Sequence, residues 1–480
     1  METELRRGAL GTAGIAFFVI SAAAPLMVLA GVAPYAILVG GVGAPSAYLL
    51  GGLVLTVFAV GFTTMSRHVT NAGAFYAYIT KGLGRPAGVS AAVLALMSYN
   101  AVQIGIYGLL GSAAESTVQS LAGVDIPWPW YALAGVGLVW FAGYRSIDFG
   151  AKLLGVLMVA ESAILVVLAV AVLLKGGAHG LDLQSYAPKQ VFNGSTSSLL
   201  VFAFAAFMGF ESTVIYRSEA RDPQRTIPRA TYVAVAFLGA FYSFIAWAVI
   251  QGFGSADVQA AAAKDPAGLL FTEMDTYVGS WASDVMHVLI ISSALASLLA
   301  FHNAINRYTK AIAHEGMIPA RLATVHPRTG SPYLAGGLQT ALSVVVVAGF
   351  AIAGLDPYLN LLIWVNTPGV IGLVLLQVLV AVAVPVYFRR IEHAEGLLRT
   401  VVAPMLAAIG MVTALYLMIS KISLLTGASG NVNTVLVGLV PATVVAGLIL
   451  TGWLSRRRPE SYVRIGAEPQ KTKEQAHAHG

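Results

Sequence analysis

The stretch Ser195–Arg229 reads STSSLLVFAFAAFMGFESTVIYRSEARDPQRTIPR, and it decides the fold class. No side chain is charged between Gln190 and Phe210, about the length that spans the hydrocarbon core of a bilayer. Gly209 then relaxes the helical backbone, and the carboxylate of Glu211 follows at the same depth. Since a charge there costs roughly 2.5–3.5 kcal/mol on insertion scales, it should face protein or water. The stretch therefore predicts a membrane helix that is interrupted near its middle.

Two interpretations of this interruption are open. Transporters break a membrane helix at mid-depth to free backbone groups that hold a small polar ligand. A simple kink, with the carboxylate satisfied by a neighbouring hydroxyl, explains the same residues. On the first interpretation the substrate-binding candidates of this stretch are Phe207, Gly209, Phe210 and Glu211.

The composition indicates a polytopic membrane protein. Of the 480 residues 57% are hydrophobic and 10% are charged, against roughly 25% charged in soluble domains, and the mean hydropathy is +0.77. The net charge of +6 is therefore no sign of nucleic-acid binding. Cysteine is absent, which excludes disulfides, thiolate metal sites and thiol catalysis. Metal-ligand spacings, phosphate loops and catalytic triads are not found in the sequence, so we expect neither an enzyme nor a cofactor.

Hydrophobic runs predict an all-α protein with twelve membrane spans. An uncharged run of 59 residues, Gly8–Ser66, is too long for a cleavable signal and must contain the first two. The spans are predicted at 12–38, 45–64, 87–115, 128–144, 149–174, 190–216, 230–252, 283–312, 332–354, 357–385, 400–420 and 432–455. We divide the chain into an N-terminal tail at 1–11, five-span units at 12–175 and 190–385, two further spans within 398–455, and a disordered tail at 456–480.

The distribution of positive charge predicts the orientation. With twelve spans and an internal N-terminus, 24 of the 28 lysines and arginines fall on the inner side. The four on the outer side are Lys175, Lys189, Lys264 and Lys421. Because positive charges are enriched in cytoplasmic loops, both termini should be cytoplasmic in a multi-pass protein of the cell membrane.

The first span contains a second predicted interruption, Ser21-Ala22-Ala23-Ala24-Pro25. Pro25 lacks an N–H and clashes with the preceding turn, so backbone carbonyls near Ser21 are released. Spans 1 and 6 each open a block of five, and since five is odd the second block enters the membrane from the opposite side. Such inverted repeats place a binding site where the broken helices meet. The four residues from Ser21 to Ala24 are therefore substrate-binding candidates, namely Ser21, Ala22, Ala23 and Ala24.

Other polar residues inside spans are further candidates. Tyr99, Gln103 and Tyr107 follow at i, i+4 and i+8, which puts them on one face of span 3 beside Asn100. From this stripe we select Tyr99, Asn100 and Gln103 as substrate-binding residues, although hydrogen bonding between helices explains the stripe equally well.

Polar groups on spans 5 and 8 are candidates for ion coupling. Glu161 lies about three turns into span 5, and a carboxylate at that depth is functional by default, as a proton or cation site. On span 8, Ser293 is a candidate substrate contact and Ser292 a candidate ion contact. Close helix packing is the alternative explanation for small hydroxyl residues.

Three motifs resemble the amino acid–polyamine–organocation permeases. Phe207–Glu211, Glu219–Pro223 and Arg225–Ala230 resemble the helix-6 region of that family, and Asn71–Tyr78 resembles its loop after helix 2. Its helix 8–9 loop is resembled by Asn306-Arg307, Ala313–Pro319 and Ser331-Pro332. The likeness covers about residues 10–390. It implies the LeuT-like fold, five helices plus five inverted plus two with helices 1 and 6 broken, and transport of amino acids or related amines.

The sequence departs from that family in two places. Many members have a glycine-rich triplet in the helix-1 break, where this chain has alanines, so recognition of an α-carboxylate there is in question. Some proton-dependent members carry a lysine on helix 5, where this chain has Glu161, and Lys152 is the nearby alternative.

The leading hypothesis is a secondary transporter that imports an amino acid with protons by alternating access. Its partners would be a small-molecule substrate, the proton and the lipid membrane, with no nucleic acid. A polyamine or alkanolamine transporter and an amino acid exchanger are the alternatives within transport. A channel would need a continuous polar pore, and a membrane sensor would need an appended soluble domain.

Overall fold

The computed structural model describes residues 10–69, 71, 73–145, 147–192 and 196–467. In this part of the chain the secondary structure is helical, and no strand is found beyond one isolated bridge between Leu10 and Ala220. The helices of the first half are α1 (Thr12–Ala23), α2 (Pro25–Gly31), α3 (Ala33–Gly40), α4 (Ala44–His68), α5 (Ala74–Leu83), α6 (Arg85–Ala122), α7 (Trp128–Arg145), α8 (Ile147–Lys175), α9 (Pro188–Val191) and α10 (Thr196–Ala206). Those of the second half are α11 (Pro223–Phe253), α12 (Val258–Lys264), α13 (Leu269–Tyr277), α14 (Ser280–His314), α15 (Tyr333–Ile352), α16 (Ile363–Phe388), α17 (Ala403–Ser420), α18 (Ile422–Thr426), α19 (Gly430–Arg457) and α20 (Pro459–Arg464).

Ten helical stretches of the described chain are long and apolar enough to cross a membrane. They are Thr12–Gly31, Ala33–His68, Arg85–Ala122, Gly155–Lys175, Pro223–Phe253, Ser280–His314, Tyr333–Ile352, Pro357–Phe388, Leu398–Ser420 and Gly430–Arg457. Two of the twelve predicted spans are not among them: α7, and the interrupted sixth span, whose apolar helix Leu199–Val214 is shorter. The all-α, multi-pass membrane class predicted from the sequence is thereby confirmed.

Both predicted interruptions exist as breaks in the helices. The first span is divided into α1 and α2 at Ala24. The sixth span is divided at Gly209, where α10 gives way to a 3-10 helix, Phe210–Glu219. Helix α1 packs against α11, α14 and this 3-10 helix, while α8 packs against α14 and α11. The two broken spans therefore lie together inside the bundle.

The prediction of a disordered tail from Arg456 onward is wrong for residues 456–467. Helix α19 continues to Arg457, and α20 (Pro459–Arg464) follows it. Ile465 is 2% exposed, and the amide of Gly466 donates a hydrogen bond to Glu315 Oε2 at 3.0 Å. The polar composition wrongly indicated disorder, because this segment is ordered by packing and hydrogen bonding against loops of the bundle. The predictions for residues 1–9 and 468–480 lie outside the described residues.

Candidate functional site

The break in the first span is centred on Ala24. This residue has φ 45° and ψ 75°, in the left-handed region, and no other non-glycine residue in the described chain has a positive φ. Its amide donates to the carbonyls of Ile20 and Ser21 at 3.1 and 3.2 Å, which ends α1. Pro25 then begins α2 without an N–H of its own. The chain thus turns here because Pro25 interrupts the hydrogen-bond ladder of the helix and Ala24 adopts the left-handed conformation of the turn.

Hydroxyl groups from two other helices bind the carbonyls that the break releases. Ser297 Oγ on α14 donates to the Ala22 carbonyl at 2.8 Å. Tyr242 on α11 donates to the Ala23 carbonyl at 3.2 Å. Both side chains are fully buried. Neither was selected from the sequence, and the signal available for Ser297 was its spacing of four residues from Ser293 on one helical face.

Ser21, the first predicted residue of this break, is in a different position. Its side chain is 4% exposed, and its Oγ has no hydrogen-bond partner among the described residues. A buried hydroxyl without a partner is unusual, since most such groups are satisfied by protein or water. Ser21 therefore keeps an unused hydrogen-bonding group beside the break.

Gly209 forms the break in the sixth span. Its φ of 99° and ψ of −13° are left-handed, a conformation that glycine adopts without a steric penalty. A Cβ added to Gly209 would lie 3.5 Å from the Cβ of Ala22, which is ordinary van der Waals contact. The two breaks therefore lie beside each other, one added carbon atom away from van der Waals contact.

Glu211 is held by the break that it follows. The side chain is 1% exposed. Its Oε1 accepts a hydrogen bond from the Tyr99 hydroxyl at 2.8 Å, and its Oε2 accepts one from the amide of Gly209 at 3.1 Å. The carboxylate thus joins α6 to the unwound part of the sixth span. Both of its oxygens are engaged, so in this conformation Glu211 braces the break.

A second buried carboxylate, Glu161, connects three helices. It lies on α8 and is 2% exposed, and its Oε2 accepts a hydrogen bond from Ser293 Oγ on α14 at 2.6 Å. The same Ser293 oxygen accepts a hydrogen bond from the amide of Met27, in the first turn of α2, at 3.3 Å. Ser293 therefore connects Glu161 to α2, the helix that begins at the break, so a change in the charge of Glu161 would alter the hydrogen bonding of α2 through this one side chain.

The side chains of several other predicted residues contact parts of the bundle away from the breaks. Ser292 is half-buried and donates to the carbonyl of Leu289 on its own helix. Asn100 likewise donates to Leu96 within α6. The remaining contacts are to scaffold or core residues: Gln103 bonds the Leu298 carbonyl and the side chains of Tyr107 and Gln339, Phe207 stacks edge-on with Tyr242, and Phe210 packs against Phe58 and Phe62. The side chain of Lys152 lies outside those described.

A small cavity lies against the two breaks. Its volume is about 40 Å³, room for a few water molecules, so the site is nearly closed in this conformation. Its walls come from both broken spans and from α6, α14 and the start of α16. The lining residues are Ala22, Ala23, Met27, Val28, Val32, Val102, Ile106, Leu109, Ala205, Ala206, Met208, Ser297, Phe301, Leu362 and Asn366.

Broken helices that meet around a buried cavity at the centre of a multi-pass bundle define a membrane transporter. Comparison with protein families agrees with that class. Residues 14–461 match the amino acid permease family, and the chain belongs to that family. The resemblance noted in the sequence is thereby confirmed.

Named relatives match parts of the chain. An uncharacterised transporter of Mycobacterium tuberculosis is 35% identical over 158 residues, which are 33% of this chain and 34% of that protein. The branched-chain amino acid permease BcaP of Lactococcus lactis subsp. cremoris is 23% identical over 330 residues, 64% of this chain and 68% of that protein. The vacuolar cationic amino acid transporter 8 of Arabidopsis thaliana is 28% identical over 141 residues, 29% of this chain and 23% of that protein. The chain thus matches about a third of the length of the mycobacterial relative.

Proposed function

We propose that this protein is a secondary transporter that imports an amino acid across the cell membrane in symport with protons. It would have twelve spans in a LeuT-like arrangement, with both termini in the cytoplasm. The closeness of the breaks at Ala24 and Gly209 supports substrate binding there, because each break leaves backbone groups outside the helical ladder. The ammonium group of the substrate would approach the carbonyls of the first break, and its carboxylate would approach the amides of the second.

The observation that carries proton coupling is the chain of contacts from Glu161 through Ser293 to the amide of Met27. A carboxyl group buried within a bundle can exchange a proton with either side as the bundle opens. Protonation removes its charge and so changes what the Ser293 hydroxyl binds. Since a ligand shifts an equilibrium only through differential affinity, the proton must bind one facing state more tightly than the other. Movement of α2 relative to α8 and α14 would provide that difference.

The test measures uptake into proteoliposomes, with and without an imposed pH gradient. Glu161→Gln mimics the protonated carboxyl, so we expect it to retain counterflow exchange and to lose accumulation driven by the gradient. Ser293→Ala should weaken the coupling as well, because it removes both contacts. Ser292→Ala is the matched control, since among the described residues that hydroxyl donates to the Leu289 carbonyl on its own helix. Gradient-driven accumulation equal to wild type in Glu161→Gln would refute the coupling.

Labelling of single cysteines tests the proposed orientation, because the native chain has none. Ala256 is exposed in the loop before α12, on the proposed outer side, and Ala394 is exposed between α16 and α17, on the inner side. In intact cells an impermeant thiol reagent should label Ala256→Cys and should label Ala394→Cys only after lysis. The opposite pattern would reverse the topology.

A further inference from the structure

The cavity at the breaks has an aliphatic wall. Val102, Ile106 and Leu109 on α6 recur at i, i+4 and i+7, so they share one face of the helix. Leu362, at the end of the π-helix Pro357–Leu362 that precedes α16, lines the same cavity. None of the lining residues carries a charge. A substrate whose backbone lies at the breaks would place its side chain against this wall.

A second small cavity extends the first. Both are lined by Val32, Ala205, Leu362 and Asn366, so these residues form the boundary between them. The second contains one further polar side chain, Thr367, whose hydroxyl donates to the carbonyl of Ile363. At the junction Asn366 Oδ1 has no hydrogen-bond partner among the described residues. The extension is thus uncharged, and its unused polar group is a neutral amide.

The two buried carboxylates near the breaks already have hydrogen-bond partners in the protein. Both oxygens of Glu211 bond Tyr99 and Gly209, and Glu161 bonds Ser293. Neither residue lines the cavities. A lysine, arginine or polyamine cation in the extension would lose its water without gaining a counter-charge, which is strongly unfavourable. An aliphatic side chain loses no hydrogen bond there and is stabilised by burial.

We propose that these joined cavities are the side-chain subsite of the transporter and that they select amino acids with an uncharged, aliphatic side chain. This proposal rests on the proposed amino acid transport at the breaks. Polyamines and cationic amino acids are excluded because the subsite has no acid. The side chains on α6 set the size limit, because together with Leu362 they line the cavity.

The primary experiment is counterflow of radiolabelled L-leucine in proteoliposomes, with unlabelled competitors. L-valine, L-isoleucine and L-alanine should compete with L-leucine. L-lysine, L-arginine and putrescine at the same concentrations should be at least about tenfold weaker inhibitors of its uptake. Each competitor is also tested as the labelled substrate. Saturable uptake of a cationic amino acid or putrescine with none of leucine would overturn the subsite and leave transport at the breaks standing. The absence of saturable uptake for every amino acid and amine would overturn the proposed function itself, and the subsite with it.

A pair of variants tests the location of the subsite. Ile106→Ala enlarges the cavity and should raise uptake of L-phenylalanine relative to L-valine by about tenfold. Ile104→Ala is the matched control: Ile104 is equally buried on the same helix, 3% exposed against 4% for Ile106, but it does not line either cavity. It removes the same atoms and should leave the ratio unchanged. An equal shift in both variants, or none in Ile106→Ala, would show that the side chain of the substrate lies elsewhere.

Discussion

Ala24→Gly tests whether the first break stores backbone strain. The left-handed conformation costs an L-residue roughly 1–2 kcal/mol, and Ala24 is the residue that adopts it here. Glycine removes this cost, but it destabilises the folded state by about 0.5–1 kcal/mol because the unfolded chain gains conformational freedom. Ala24 is also 1% exposed, so its buried methyl group is lost, at about 0.8 kcal/mol. The expected net change in the free energy of unfolding is therefore close to zero.

Ala16→Gly is the matched control for this prediction. Ala16 lies in regular helix in α1 and is also buried, 3% exposed. Its replacement loses the same methyl group and the same chain entropy, without any strain to relieve, so it should cost about 1.5 kcal/mol. The difference between the two variants isolates the strain. The assay is the midpoint of SDS-induced unfolding in mixed micelles, and equal destabilisation by the two variants would refute a strained Ala24.

Three further predictions concern other parts of the molecule. Gly209→Ala should change the free energy of unfolding by less than about 1 kcal/mol in the same SDS titration. A φ of 99° costs an alanine roughly 1–2 kcal/mol, whereas the less flexible unfolded chain and the methyl group, for which there is room, return about 0.5–1 and about 0.8 kcal/mol. Burial raises the pKa of Glu273, on α13, well above its ordinary value. The stability that this carboxyl contributes is therefore complete below about pH 4.5 and is lost as the pH rises through the folded-state pKa, so the melting temperature of wild type, but not of Glu273→Gln, should show that loss. Ending the chain after Arg458 should lower the free energy of unfolding by at least about 1 kcal/mol, because the hydrogen bonds of Asn71 and Glu315 to residues 466–467 are lost. A chain that ends after residue 467 keeps both bonds and is the control.

The position of each break could be predicted because a proline or a glycine favours it, although Pro228, Pro368, Pro385 and Pro441 lie inside continuous helices. Proline removes a backbone donor wherever it stands in a helix, and glycine tolerates the left-handed region. These are local properties, so the sequence shows them directly. The resulting breaks at Ala24 and Gly209 lie inside the predicted stretches.

The partners of the breaks could not be predicted because they depend on how helices face each other. The polar stripe on α6 illustrates this: Tyr99 bonds Glu211, while Gln103, one turn further on, bonds α14 and α15 instead. Helix α6 is in contact with α5, α7, α14, α16 and α19. A helix that is surrounded in this way has no single inner face, and spacing alone cannot assign its polar residues to one neighbour.

If a substrate binds at the breaks as proposed, the hydrogen bonds of the closed breaks determine what it must offer. The Ala22 carbonyl is bound by Ser297, the Ala23 carbonyl by Tyr242 and the Gly209 amide by Glu211. Each carbonyl accepts one hydrogen bond from a hydroxyl and has a second lone pair, so an ammonium group there either binds beside that hydroxyl or replaces it with a charged donor. Either gain is available to every α-amino acid and cannot discriminate among them. Discrimination among amino acids must therefore come from the side chain of the substrate. It would occur in a part of the site that is an apolar surface when no substrate is bound, so that the side chain displaces no hydrogen bond.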